Sequence, residues 1–198
     1  MDLTIYIVST NEIDISQFLN SPLLTEEDKE SFSKYINETV KKEKVVSTYL
    51  KRRFVESWSI NKNGKPISDN LFFNISHSHG LVAFVSSNKY PIGIDVELIK
   101  EAKDDLINYV SFKEEKEYIK SNKDFFKVWT NKEALVKAIG TGINCKVNEI
   151  PGLFFNQSFI YKNKEYQNRM IEYGNYIIAV NVETKEQDIN IELVELFK

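Results

Sequence analysis

The clearest pattern in the chain is the segment Pro91-Ile92-Gly93-Ile94-Asp95-Val96-Glu97. Aliphatic residues at 92, 94 and 96 alternate with Gly93, Asp95 and Glu97, and successive side chains of a strand point to opposite faces. One face of this predicted strand is therefore apolar and buried, and the other carries two carboxylates. Carboxylate oxygens are hard ligands that suit Mg²⁺ or Mn²⁺, so the acidic face is a candidate cation site.

A second segment, Trp129-Thr130-Asn131-Lys132-Glu133-Ala134-Leu135-Val136-Lys137, provides groups that would complete such a site. Helical spacing places Glu133 and Lys137 on one face, one turn apart. A lysine one turn from a metal-binding carboxylate is well placed to hold a leaving phosphate. The two segments together therefore indicate a phosphate or pyrophosphate substrate, although Asp-x-Glu alone is also typical of an acidic strand end that faces water.

Composition limits the possible functions. The 198 residues carry a net charge of −3 and an isoelectric point near 5.6, which argues against a broad nucleic-acid-binding surface. The apolar runs are too short to cross a bilayer, and the first residues lack the basic region of a signal peptide. We therefore expect a cytoplasmic protein with no membrane or nucleic-acid partner. The single cysteine, Cys145, excludes an internal disulfide framework and is more typical of a core residue than of a nucleophile.

The first part of the chain predicts a strand over residues 3–8 and a helix from Thr25 towards Ile36. A longer helix is predicted from about residue 39 to Trp58. Strands over 71–76 and 81–87 form a predicted hairpin, and the strand with Asp95 and Glu97 follows. Because the connections are too short for a crossover, we predict that these three strands are adjacent and antiparallel.

The second part is helical from about Asp104 to Lys137, with Asn122 or Asp124 as the predicted cap of the last helix and Gly140 with Gly142 at its end. Strands are predicted over 153–161, 166–173, 176–182 and 189–196. The order of elements indicates an α+β protein of two packed halves, residues 1–98 and 99–198, with the active site at the seam between them.

His77 and His79, the two histidines, lie in the predicted hairpin turn. A His-x-His pair could bind zinc, but the small polar neighbours and the absence of thiolates favour an anion-binding loop. The long helix before this hairpin is rich in cations, which either form a solvated face or line a phosphate-binding edge.

Four motifs in order resemble those of the 4′-phosphopantetheinyl transferase superfamily, of the type that activates surfactin synthetase. The motifs are Gly64-Lys65-Pro66, Phe73-Asn74-Ile75-Ser76-His77-Ser78, Ile92-Gly93-Ile94-Asp95-Val96-Glu97, and Trp129 through Ala134 and Lys137 to Gly142. The resemblance implies two similar α/β halves, each a small antiparallel sheet packed on a long helix, in a pseudo-twofold arrangement. It also implies an enzyme that transfers phosphopantetheine from coenzyme A to a serine of an apo acyl, peptidyl or aryl carrier protein.

The resemblance further implies roles for the acidic and basic residues. Asp95, Glu97 and Glu133 would hold Mg²⁺ on the pyrophosphate, and 3′,5′-ADP would leave. Glu133 would also be the general base for the serine, directly or through a metal-bound water. Lys137 would bind phosphate near the leaving group.

For coenzyme A itself, the resemblance implies that Lys44, Ser76 and His77 hold the 3′-phosphate and that Lys65 and Pro66 lie along the adenine. The helical pattern does not decide which of Lys41, Lys42 and Lys44 is the lysine that binds the 3′-phosphate.

The carrier would dock on residues 112–126, where Lys113, Lys116 and Lys120 could contact its acidic helix, although glutamates interleave with them. We expect a monomer. Three alternatives remain from the residues themselves: a Mg²⁺-dependent phosphodiesterase or nuclease, a non-catalytic coenzyme A or carrier-binding module, and an acidic cluster with a structural role alone.

Overall fold

The computed structural model describes residues 1–140, 142 and 147–197, so Thr141 and Cys145 lie outside the described residues. The described residues form one strand, three helices, five strands, three helices and four strands, in that order. A short 3-10 helix at Val147–Glu149 follows the last long helix. The elements are β1 (Asp2–Ser9), α1 (Ser16–Leu19), α2 (Glu26–Phe32), α3 (Glu38–Phe54), β2 (Ser59–Ile60), β3 (Pro66–Ile67), β4 (Phe72–Ser78), β5 (Leu81–Ser87), β6 (Ile92–Leu98), α4 (Asp104–Val110), α5 (Lys113–Tyr118), α6 (Asn122–Ile139), β7 (Ser158–Tyr161), β8 (Lys164–Tyr173), β9 (Tyr176–Glu183) and β10 (Asn190–Glu195).

Local chemistry sets the ends of the helices. Thr25 caps α2, and its side chain and that of Asp28 exchange hydrogen bonds with each other's backbone N–H groups. The cap of α6 is Ser121, one residue before the predicted Asn122. Gly140 ends α6 as predicted, in the left-handed conformation with φ 78°. The helical region after Asp104 is three helices, and α3 ends before the predicted Trp58.

The strands form two four-stranded sheets and the small β2–β3 ribbon. The first sheet has the order β10-β1-β5-β4, in which β10 runs parallel to β1 and the other pairs are antiparallel. The second sheet has the order β6-β9-β8-β7 and is antiparallel throughout. The mixed α+β class predicted from the sequence is confirmed.

The predicted position of β6 beside the hairpin in one sheet is wrong, because β6 pairs with β9 in the second sheet. Strand β6 still lies next to β4, but side chains of β4, and not a ladder of backbone hydrogen bonds, join the two strands. Asn74 Oδ1 accepts a hydrogen bond from the Ile94 N–H, and Ser78 Oγ accepts one from the Leu98 N–H. A short connection permits antiparallel pairing and does not require it. We call this boundary between β4 and β6 the seam.

The elements form two groups that share a topology. In the first, β1 pairs with β5 and β5 with β4; in the second, β6 pairs with β9 and β9 with β8. A long helix, α3 or α6, precedes the hairpin in each group. This correspondence places β6 in the second group, whereas the sequence-based division at residues 98 and 99 placed it in the first. Whether 1–98 and 99–198 behave as separate halves stays a prediction.

A shared apolar core lies between the sheets. Aliphatic side chains of β1 and β5 pack there against those of β6 and β9. Helices α1, α2 and α3 cover the other face of the first sheet, and α6 covers the other face of the second. No helix in the described residues combines the length and the apolar character that a bilayer span requires.

Candidate functional site

The site depends on how closely α6 crosses β6. Ile94 and its alternate neighbours face the shared core, so Gly93, Asp95 and Glu97 face the helix. A methyl group at Gly93 would overlap the carbonyl oxygen of Ala134 and the amide nitrogen of Ala138. Glycine therefore permits the contact that brings α6 onto the acidic face of β6.

Asp95 lies at the centre of the site with only 4% of its surface exposed. Its Oδ1 accepts hydrogen bonds from Lys137 Nζ at 2.6 Å and from Ser76 Oγ at 2.8 Å. Lys137 Nζ also lies 2.9 Å from Ser76 Oγ. The structure thus brings together one residue each from β4, β6 and α6, all three of which the sequence analysis selected.

Glu133 lies beside this cluster, also nearly buried. Its pKa is raised to about 7, chiefly by burial and then by the negative charge of Asp95, while Lys137 acts in the opposite direction. Near neutral pH this carboxyl is therefore divided between its protonated and ionised forms. Such a group can both accept and release a proton.

Both carboxylate oxygens of Glu97 accept hydrogen bonds. Trp129 Nε1 donates to Oε1 at 3.0 Å, and Ser78 Oγ donates to Oε2 at 2.9 Å. Burial, with the nearby Asp95 charge, raises the pKa of Glu97 in spite of these bonds. Trp129 and Ser78 therefore fix the direction in which this carboxylate faces.

The acidic residues have the donor chemistry of a Mg²⁺ site. Asp95 Oδ2 and Glu133 Oε1 are buried and have no hydrogen-bond partner among the described residues. Unpartnered buried oxygens are costly, and a hard cation would satisfy them. In the described part of the chain, no three His, Cys, Asp or Glu side chains are grouped so that they could hold a metal ion. The predicted ligand set Asp95, Glu97 and Glu133 therefore stays a prediction.

Lys65 and Pro66 line one cavity of about 260 Å³ together with Glu133 and Lys137. The Lys65 side chain caps α6, since its Nζ donates a 2.5 Å hydrogen bond to the carbonyl oxygen of Lys137. Burial lowers the pKa of Lys65 to about 8. The predicted coenzyme A residues of this turn thus lie beside the acidic cluster, where Lys65 also supports the end of a helix.

The side chains of Ser76 and His77 point away from each other, because they are neighbours on β4. Ser76 joins the acidic cluster, whereas His77 approaches α3, where Lys44 Nζ lies 3.1 Å from His77 Nε2. Lys41 instead pairs with Glu38 at 4.0 Å, and Lys42 Nζ donates to the carbonyl of Ile13 at 3.5 Å. Of the three candidate lysines, the geometry favours Lys44. The residues predicted to hold the 3′-phosphate therefore lie in two places: Ser76 in the acidic cluster, and His77 with Lys44 beside α3.

The predicted carrier-docking segment includes α5. Lys113, Lys116 and Lys120 are exposed there. Glu115 is fully buried, where it pairs with Lys132 at 2.5 Å. Glu114 and Glu117, in contrast, are exposed and interleave with the lysines. Docking on this segment stays a prediction.

Two residues that orient members of the site were not predicted from the sequence. Ser78 binds Glu97, and Glu43 binds His77. The alternation of β4 could have predicted the role of Ser78, because Ser78 lies two positions after Ser76 and therefore on the same face of the strand. Glu43 was one acidic residue among many on a charged helix, and nothing in the sequence distinguished it.

Comparison with known proteins identifies the family. The family model described as the 4′-phosphopantetheinyl transferase superfamily matches residues 91–181, which include β6 and α6. The 4′-phosphopantetheinyl transferase gsp of Aneurinibacillus migulanus is 33% identical over 165 residues, covering 73% of this chain and 68% of that protein. The 4′-phosphopantetheinyl transferase HetI of Nostoc is 37% identical over 101 residues, covering 44% of this chain and 42% of that protein.

The matches in sequence, together with the mixed α+β fold, place the chain in a class of transferases. The chain belongs to the 4′-phosphopantetheinyl transferase superfamily.

Proposed function

We propose that this protein transfers the 4′-phosphopantetheine group of coenzyme A to a serine of an apo carrier protein and releases 3′,5′-ADP. The observation that carries the proposal is the meeting of Asp95, Glu133 and Lys137 at the seam, beside a cavity that Lys65 also lines. Family membership supplies the reaction class, and this cluster supplies groups suited to it.

In the proposed reaction the serine oxygen attacks the phosphorus that bears pantetheine, and the bond from that phosphorus to the ADP oxygen breaks. Glu133, whose carboxyl lies near Asp95 and Lys137, accepts the serine proton. Lys137 donates to phosphate oxygens as charge develops on the leaving group. Asp95, Glu97 and Glu133 are the residues that would hold Mg²⁺, which would neutralise charge on the pyrophosphate.

The remaining contacts concern the nucleotide end of coenzyme A. His77 and Lys44 are suited to the 3′-phosphate, since His77 lines a second cavity, of about 460 Å³, and Lys44 Nζ lies 3.1 Å from its ring. Lys65 and Pro66 are suited to the adenine side of the other cavity. The Ser76 hydroxyl is engaged with Asp95, so we assign it to the acidic cluster.

The proposal is tested by incubating the protein with coenzyme A, Mg²⁺ and a panel of apo carrier proteins from fatty-acid, polyketide and peptide synthesis. Mass spectrometry should show a gain equal to one phosphopantetheine group on at least one carrier class. Omission of Mg²⁺ should prevent the gain. No gain on any carrier would contradict the proposed function.

Glu133→Gln should abolish this transfer, because the amide cannot accept the serine proton and is a poor ligand for a hard cation. The circular-dichroism spectrum should stay that of the wild type, since the amide has the same shape. Glu30→Gln, an exposed carboxyl on α2, is the matched control and should retain full activity. Wild-type transfer by Glu133→Gln would exclude the proposed role.

A further inference from the structure

Glu43 on α3 is a buried carboxylate that the proposed reaction does not use; 4% of its surface is exposed. Its Oε2 lies 2.9 Å from His77 Nδ1, and its Oε1 accepts a 2.7 Å hydrogen bond from the Gly80 N–H. Burial acts to raise the pKa of Glu43, but the hydrogen bonds from His77 and Gly80 hold this pKa below its ordinary range. The side chain is therefore an anion at neutral pH.

The contacts of the His77 ring determine which nitrogen carries the proton. An ammonium group only donates, so His77 Nε2 accepts a hydrogen bond from Lys44 Nζ at 3.1 Å. The proton of the neutral ring then lies on Nδ1, where Glu43 accepts it. One carboxylate thus fixes both the tautomer and the direction of the ring.

The same carboxylate holds the tip of the β4–β5 hairpin. His79 and Gly80 form this tip with φ values of 46° and 93°. The Gly80 N–H donates to Glu43, and the Gly80 carbonyl accepts a 2.6 Å hydrogen bond from the Thr10 N–H. The tip is therefore held between α3 and the end of β1, and His77 is held from two sides.

We infer that Glu43 is a positioning residue, which orients His77 and Lys44 for the 3′-phosphate of coenzyme A. This inference rests on the proposed function and adds a residue to it. When the phosphate binds, Lys44 can donate to the phosphate instead of to the ring. The Nδ1–H of His77 stays on Glu43, so the ring keeps its direction at the edge of the phosphate site.

Titration calorimetry with coenzyme A and with dephospho-coenzyme A, which lacks the 3′-phosphate, tests the inference. Glu43→Gln should weaken binding of coenzyme A about tenfold, the expected effect of losing one charge-assisted contact. Binding of dephospho-coenzyme A should change less than about twofold. Because Glu43 acts through His77, the Glu43→Gln/His77→Ala double variant should bind coenzyme A no more weakly than His77→Ala alone.

Equal losses for the two ligands, or additive losses in the double variant, would overturn the inference. His79→Ala is the matched control, since His79 lies on the same tip but contacts Ser78 and Lys100. Its preference for coenzyme A over dephospho-coenzyme A should equal that of the wild type. Loss of this preference would assign the discrimination to the whole tip and would also overturn the inference.

A measurement on the wild type does not depend on the stability of the variants. Nitrogen-15 NMR of the two histidine rings, assigned with His77→Ala, should show His77 with its proton on Nδ1. A wild-type protein that binds neither ligand would contradict the proposed function, whereas an Nε2–H tautomer in the free protein would contradict the role of Glu43.

Discussion

Lys65 combines two environments that a lysine seldom occupies together. Its ammonium group lies at the C-terminal end of α6, where it donates to the Lys137 carbonyl, and burial lowers its pKa to about 8. A cation at this end of a helix is favourable, because the carbonyl groups there carry partial negative charge. Removing the charge from water is unfavourable. The residue therefore keeps its position at a cost in stability, which is typical of groups that serve a ligand.

This cost predicts a pH effect on stability. The unfolded chain keeps the ordinary pKa of 10.5 at Lys65, so between pH 8 and pH 10.5 it binds more protons than the folded protein. The contribution of Lys65 to stability is therefore least favourable below pH 8 and improves through this window. Relative to Lys65→Met, the wild type should gain up to about 3 kcal/mol of unfolding free energy across it.

Urea unfolding at pH 7 and at pH 10.5 measures this difference. Lys62→Met, at an exposed lysine of the same turn, is the control and should show a difference from the wild type that does not vary with pH. A constant difference for Lys65→Met would contradict the expected effect.

Single residues were predicted from the sequence where local geometry sufficed. Alternation placed Asp95 and Glu97 on one face of a strand, and helical spacing placed Glu133 and Lys137 together; the structure has both arrangements. The role of Glu43 could not be predicted, because it depends on how α3 lies against the hairpin. That contact joins residues 34 positions apart or more, which no local pattern records.

At the level of elements, the site requires the close crossing of β6 and α6. Gly93→Ala should displace the helix, because the new methyl group would meet backbone atoms that cannot move by rotation of a side chain. We expect a loss of about 3 kcal/mol in unfolding free energy, measured in urea, and a loss of activity from the displaced Glu133.

Gly174→Ala separates this steric effect from backbone strain. Gly174 has φ 54°, and a methyl group added to it would meet no atom within 4 Å. Its replacement should cost only about 1 kcal/mol, the strain of a left-handed conformation. Equal losses for the two variants would show that β6 and α6 have room to separate.

One error and one omission in the element predictions share one physical origin. The adjacency of β6 to the hairpin was predicted correctly, but its backbone partner was not, since β6 and β4 meet through side chains. The parallel pairing of β10 with β1 joins the two ends of the described chain. Strand partners so distant in sequence are set by the packing of the whole protein, and periodicity reports only which face is buried.

For the whole molecule, the core between the two sheets predicts cooperative unfolding. Neither sheet can keep its inner face buried without the other. The two tryptophans provide one probe on each side, because Trp58 packs beside α3 and the first sheet, and Trp129 lies on α6.

In Trp58→Phe and in Trp129→Phe, the fluorescence of the remaining tryptophan should lose its native signal at the same urea concentration as the circular-dichroism signal. The control is the wild type, in which both probes contribute. A fluorescence midpoint that departs from the circular-dichroism midpoint in either variant would show that the two parts unfold separately, in support of an autonomous division near residue 98.

The seam also sets the width of the site. Three short side chains on alternate positions of β4, those of Asn74, Ser76 and Ser78, span the gap to β6. They act as spacers of fixed length between the two sheets. A longer side chain at any of these positions would be a wedge that moves the acidic strand away from the hairpin. The neighbouring sheet therefore limits the size of the side chain at every second position of β4, and the distance from Ser76 to the acidic strand depends on that size.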